Sequence, residues 1–75
     1  MAGTTTATEG VSVRVNGEPQ RVRARTLADL IVELGYADAR VATARNGDFV
    51  PERARASTEL RAGDSIEIVA PRQGG

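Results

Sequence analysis

VSVRVNGEPQRVRARTLADLIVELG, residues 11–35, is the stretch that decides the fold. Val11, Val13 and Val15 alternate with Ser12 and Arg14, the two-residue period of a strand with one buried face. Asn16-Gly17 follows, a pair that tolerates positive φ and so suits a tight hairpin turn. Glu18-Pro19 is expected to widen that loop, with the return strand in Gln20 to Arg25. There Val22 and Ala24 point one way, while Arg21, Arg23 and Arg25 point the other. Thr26 is a good helix N-cap, and Asp29 three residues later suits the acidic half of a capping box. Leu27, Leu30, Ile31 and Leu34 then fall at i, i+3, i+4 and i+7, one stripe of a helix. Gly35 stands where a left-handed residue would end it, so the helix runs about two to three turns. So early in the chain, only the apolar face of the hairpin can cover that stripe.

Working toward the C-terminus, Val41 to Arg45 reads as a third strand, closed by a turn at Asn46-Gly47-Asp48. Phe49-Val50-Pro51 is a brief extended piece that Pro51 confines to a sheet edge or a strand end. Glu52 to Glu59 is polar and irregular, with at most a helical turn. Leu60 drops back toward the core, and Gly63-Asp64 makes a turn. Ser65 to Ala70 is the last strand, with Ile66 and Ile68 inward and Glu67 and Val69 outward, and Pro71 ends it. Arg72 to Gly75 has no means of packing and is expected to form a mobile Gly-Gly tail. In the other direction, Met1 to Gly10 is polar and Thr-rich and lacks the apolar stretch of a signal peptide. It reads as a disordered leader, residues 1–10, before a domain over 11–71 and a tail over 72–75. The order strand, strand, helix, strand, short strand, strand describes an α+β chain. It is the β-grasp, or ubiquitin-like, layout: a mixed sheet of four to five strands with one short helix packed on one face. In that layout the last strand lies parallel to the first.

Composition narrows the function. Seventy-five residues make one domain near the lower limit for a single self-sufficient core. Ten basic residues balance ten acidic ones, so net charge argues for neither nucleic acid nor a membrane surface. With no Cys, the chain has no disulfide, thiolate metal site, persulfide or cysteine nucleophile. With no His, it lacks the usual neutral-pH general base and the commonest metal ligand. Every basic side chain is Arg, which does not deprotonate to become a nucleophile. No Gly-rich loop followed by Lys and Ser or Thr is present to cradle a nucleotide. Such a chain is not expected to be an enzyme by itself, and no cofactor or metal of its own is expected. The cytoplasm is the expected compartment.

These residues resemble the ThiS family, the sulfur carriers of thiamin thiazole biosynthesis. The resemblance rests on Val15-Asn16-Gly17-Glu18, Thr26-Leu27-x-x-Leu30, Val41-Ala42 and Arg45-Asn46-Gly47-Asp48-Phe49-Val50-Pro51. Leu60-x-x-Gly63-Asp64-x-Ile66-Glu67-Ile68 and Gln73-Gly74-Gly75 complete it. One departure stands where the family usually has Pro-Arg: Pro51 is followed by Glu52, and Arg53 comes one residue later. The resemblance implies that Gly75, preceded by Gly74, is the working end. A partner would adenylate its carboxylate with ATP, and sulfur would convert it to a thiocarboxylate. Implied partners are a ubiquitin-activating-like adenylyltransferase, a sulfur donor from a cysteine desulfurase pathway, and thiazole synthase. A free carrier of this kind is expected to be a monomer. Val69, Phe49, Arg72 and Gln73 are the expected partner contacts, although Phe49 also suits the core. Asn16-Gly17 and Asn46-Gly47 read as turns rather than sites, and Arg14, Arg21, Arg23 and Arg25 as a solvated sheet face. Three other readings stay open: a β-grasp carrier for molybdopterin or cysteine synthesis, a ubiquitin-like protein modifier, and a plain interaction domain.

Overall fold

Both Asn-Gly pairs turn the chain in two residues. In the computed structural model, which describes residues 10–37 and 39–70, Asn16 and Gly17 have φ of 52° and 88°, and Asn46 and Gly47 have 51° and 90°. Two successive positive φ values define the mirror-image turn whose twist matches that of the flanking strands. Strand β1 (Val11–Val15) therefore pairs directly with β2 (Glu18–Val22), Val15 opposite Glu18. This corrects the expected return strand: Glu18 and Pro19 belong to β2 instead of widening the loop, and regular pairing ends at Val22. Pro19 is accommodated because β2 is an edge strand, where a missing N–H leaves no neighbour unpaired.

Helix α1 (Leu27–Glu33) starts as expected: Thr26 is extended, and its Oγ1 accepts a 3.1 Å hydrogen bond from the Asp29 amide. Leu27, Leu30 and Ile31 are buried, Leu34 is half-buried, and Gly35 has φ of +90°. Strands β3 (Ala42–Arg45) and β4 (Asp48–Val50) form the second hairpin, with Arg45 opposite Asp48. A 3₁₀ segment, Glu52–Ser57, occupies the stretch expected to be irregular. Leu60 is buried, and its amide donates to the Arg25 carbonyl while the Leu27 amide donates to Thr58, which ties the start of α1 to the 58–60 crossing.

Strand β5 (Ser65–Val69) completes a sheet of order β2-β1-β5-β3-β4, parallel to β1 and antiparallel to β3. The core is Val13, Val15, Val22, Ala24, Leu27, Leu30, Ile31, Val50, Leu60, Ile66 and Ile68. Each Val, Leu and Ile among them contributes roughly 1.5–3 kcal/mol on leaving water. Thr43 is the polar member of the inner face, 1 % exposed, and its hydroxyl donates to the Val50 carbonyl at 2.8 Å. Arg55 from the 3₁₀ segment donates to the Thr43 hydroxyl and to the Val41 carbonyl, 3.1 and 2.7 Å, and so pins that segment to β3.

Candidate functional site at the end of the last strand

Strand alternation puts Ile66 and Ile68 into the core and turns Glu67 and Val69 to the opposite face of the sheet. On β4 the same alternation buries Val50 and exposes Phe49. Phe49 is 69 % and Val69 61 % exposed, so Phe49 is a surface residue and its alternative reading as core is set aside. Val69 lies opposite Ala42 and Phe49 opposite Ala44, with β3 between their strands. At ordinary strand spacing the two backbones are about 12 Å apart across a floor of alanines. The result is a shallow apolar patch with a Phe and a Val at its corners. Glu67, opposite Ala44, sets a carboxylate beside it. Exposed apolar side chains in such a setting suit a docking surface. Gly74, Gly75, Arg72 and Gln73 lie outside the described residues, as does the leader apart from Gly10. Val69 is six residues before Gly75 in the chain, so the patch adjoins the point from which the terminus departs.

Arg14, Arg21, Arg23 and Arg25 are all exposed, as expected for a solvated face. Arg14 donates to the Gly17 carbonyl and Arg21 to the Ser12 hydroxyl, which braces the hairpin. Arg53 is exposed on the 3₁₀ segment, whereas Arg55 is the arginine of that segment held against β3.

Three side chains that local sequence reading passes over hold β5 in place. Asp64, 6 % exposed, accepts from Arg45 Nε at 2.9 Å, Asn46 Nδ2 at 3.0 Å and the Arg61 amide at 2.8 Å. Burial pushes the Asp64 pKa up, but the hydrogen bonds from Arg45, Arg61 and Asn46, with the charge of Arg45, outweigh it and hold the carboxyl below its ordinary value. Asn46 also accepts from the Ser65 amide through Oδ1, 2.8 Å. At the other end of the strand, Asn16 Oδ1 accepts from the Ile68 amide at 2.9 Å and Nδ2 donates to the Ile68 carbonyl at 3.2 Å. Asn16 and Asn46 are thus more than turn residues. Their partners lie 52 and 19 residues away, where no local pattern points.

Among the described residues, no group of three or more His, Cys, Asp or Glu is placed to hold a metal ion, and no helix is long and apolar enough to cross a membrane. A model of the ThiS family matches residues 10–75. The crystal structure of a thiamine biosynthesis protein (ThiS) from Geobacter metallireducens superposes with a TM-score of 0.72 at 29% identity. That match covers 87% of this chain and 100% of the other. A solution structure of a thiamine biosynthesis protein from the same organism gives a TM-score of 0.72 at 26% identity, over 87% of this chain and 88% of that one. No curated protein sequence matches.

Proposed function

Because the chain belongs to the ThiS family, we propose that it is a sulfur carrier of thiamine biosynthesis whose working group is the Gly75 carboxylate. The observation that carries this reading is the family match over residues 10–75, which runs through the Gly-Gly end, on a chain without Cys, His or Lys. A carboxylate is a poor electrophile. In the proposed sequence a Gly75 oxygen attacks the α-phosphorus of ATP on a separate adenylyltransferase, pyrophosphate leaves, and an acyl-adenylate forms. A persulfide from a cysteine desulfurase pathway then adds to the carbonyl and displaces AMP, and a thiol cleaves the acyl disulfide so formed, which leaves a thiocarboxylate and a disulfide. The sulfur passes to the substrate of thiazole synthase, and an oxygen from water or from that substrate's carbonyl replaces it, which returns the carboxylate.

The chain itself is a co-substrate and binds no cofactor; ATP belongs to the partner. Glycines at 74 and 75 carry no Cβ, so the terminus can enter a narrow channel with backbone angles closed to other residues. Phe49 and Val69 would anchor the partners, with Arg72 and Gln73 as contacts along the way to the reacting end. The cytoplasm is the proposed compartment, and the free carrier is proposed to be a monomer.

Intact mass spectrometry tests the reading. Incubation with ATP, the adenylyltransferase from the same cell and a sulfide source should add the mass difference between sulfur and oxygen. An unmodified carrier beside an adenylyltransferase active on its own carrier would overturn it. Restored growth of a thiamine-requiring host lacking its own carrier supports thiazole as the destination. Growth restored only in a host lacking its molybdopterin carrier would redirect the sulfur.

A further inference from the structure

We propose that Asn16 is a positioning residue for the docking patch: its carboxamide replaces a missing peptide unit of β1 and fixes the end of β5, where Val69 stands. The inference rests on the carrier reading for its purpose and on the Asn16–Ile68 pair for its geometry. Strand β1 ends at Val15, opposite Ile66, and its last backbone bond to β5 runs from the Asn16 amide to the Ile66 carbonyl, 2.8 Å. The chain then turns back toward β2. In a parallel pair, alternate residues of a strand address the same neighbour. Those facing β1 are Asp64, just before β5, whose carbonyl accepts from Arg14, then Ile66 and Ile68 on β5. Ile68 is therefore aimed at a place β1 has already left.

The Asn16 side chain fills that place. A carboxamide has the same donor and acceptor as a peptide group, and here it uses both, Oδ1 on the Ile68 N–H and Nδ2 on the Ile68 C=O. A turn residue needs only positive φ, which Gly or Asp supplies as well. The two-point grip on a residue 52 positions away is what asks for Asn. Its position matters because Ile68 is followed by Val69, at the corner of the apolar patch, and then by the residues leading to Gly75. With the grip gone, the end of β5 keeps only its pairing with β3, and restraining it at each encounter is a cost borne on docking.

The test compares wild type with Asn16→Gly, Asn16→Asp and Thr26→Ala. Asn16→Gly keeps the turn, Asn16→Asp sets a carboxylate oxygen against the Ile68 carbonyl, and Thr26→Ala lowers stability away from β5. Amide exchange at Ile68 should rise about tenfold in Asn16→Gly, the equivalent of roughly one to two net hydrogen bonds, while β1 amides stay protected. In ATP-dependent adenylation of the full chain by the same adenylyltransferase, both Asn16 variants should raise the carrier KM about tenfold with kcat within about twofold. Thr26→Ala should leave KM unchanged. Unaltered Ile68 exchange, an unaltered KM, or an equal KM rise in Thr26→Ala would overturn the assignment. A wild-type chain that the active enzyme does not adenylate would overturn the carrier reading itself. Ile68 exchange, which needs no partner, would then report the grip as a stability device and remove its positioning role.

Discussion

Asp64 is buried and charged, and three donors converge on it from Arg45, Asn46 and the Arg61 amide. Hydrogen bonds to a buried charged group are worth about 1.5–3 kcal/mol each in mutational series, and part of that offsets desolvation. Asp64→Asn should therefore lower unfolding free energy by about 1–3 kcal/mol at pH 7, measured by urea melts. The pH dependence has a definite sign. The folded pKa lies below the unfolded value, so the stabilisation is complete above the unfolded carboxylate pKa of about 4 and is lost as pH falls through the folded one. The gap between wild type and Asp64→Asn should close on acidification below about pH 4; a gap independent of pH would show that the charge is not what matters. The sequence marks Gly63-Asp64 only as a turn. Its second role depends on Arg45 and Asn46 arriving from another hairpin, which a local reading does not see.

Helix α1 has seven residues, too few to persist alone in water, so its stability comes from the cap and from the sheet beneath. The Thr26 hydroxyl satisfies one of the first free amides. Thr26→Ala should cost about 1 kcal/mol, and Thr26→Ser much less. In a domain of this size that is roughly a 4–8 °C fall in Tm, readable by circular dichroism. Leu30, with no exposed surface, should be far less tolerant: Leu30→Ala is expected to cost about 2–5 kcal/mol and to leave the domain partly unfolded at 25 °C. These elements were legible because capping and periodicity are local properties. The start of β2 was not. Pro19 argued for a loop, and only the edge position of the strand makes it compatible with pairing. Likewise the 3₁₀ segment is held by Arg55 reaching Thr43 and Val41, contacts that its polar composition does not announce.

For the whole molecule, the sheet order brings β5 between β1 and β3 and sets Phe49 and Val69 on one face, Val69 at the end of β5. Replacing either with Asp should weaken binding to the adenylyltransferase at least tenfold in a titration, since anchors at an interface centre cost 2 kcal/mol or more. Thermal melts should be nearly unchanged, because both side chains are already exposed. Deleting Gly75 should abolish thiocarboxylation in the mass assay with the melting temperature kept, as the core is complete by Ile68. The sequence alone determined the order of strands and helix, the buried faces of β1, β2, α1 and β5, and the Gly-Gly end. Those follow from side-chain period, capping and backbone freedom within a few residues. Tertiary structure decided that Phe49 is a surface residue and that Asp64 is a buried charge. It also made two turn asparagines into clamps on the last strand. Each of those outcomes depends on which distant backbone group a side chain meets once the sheet has closed.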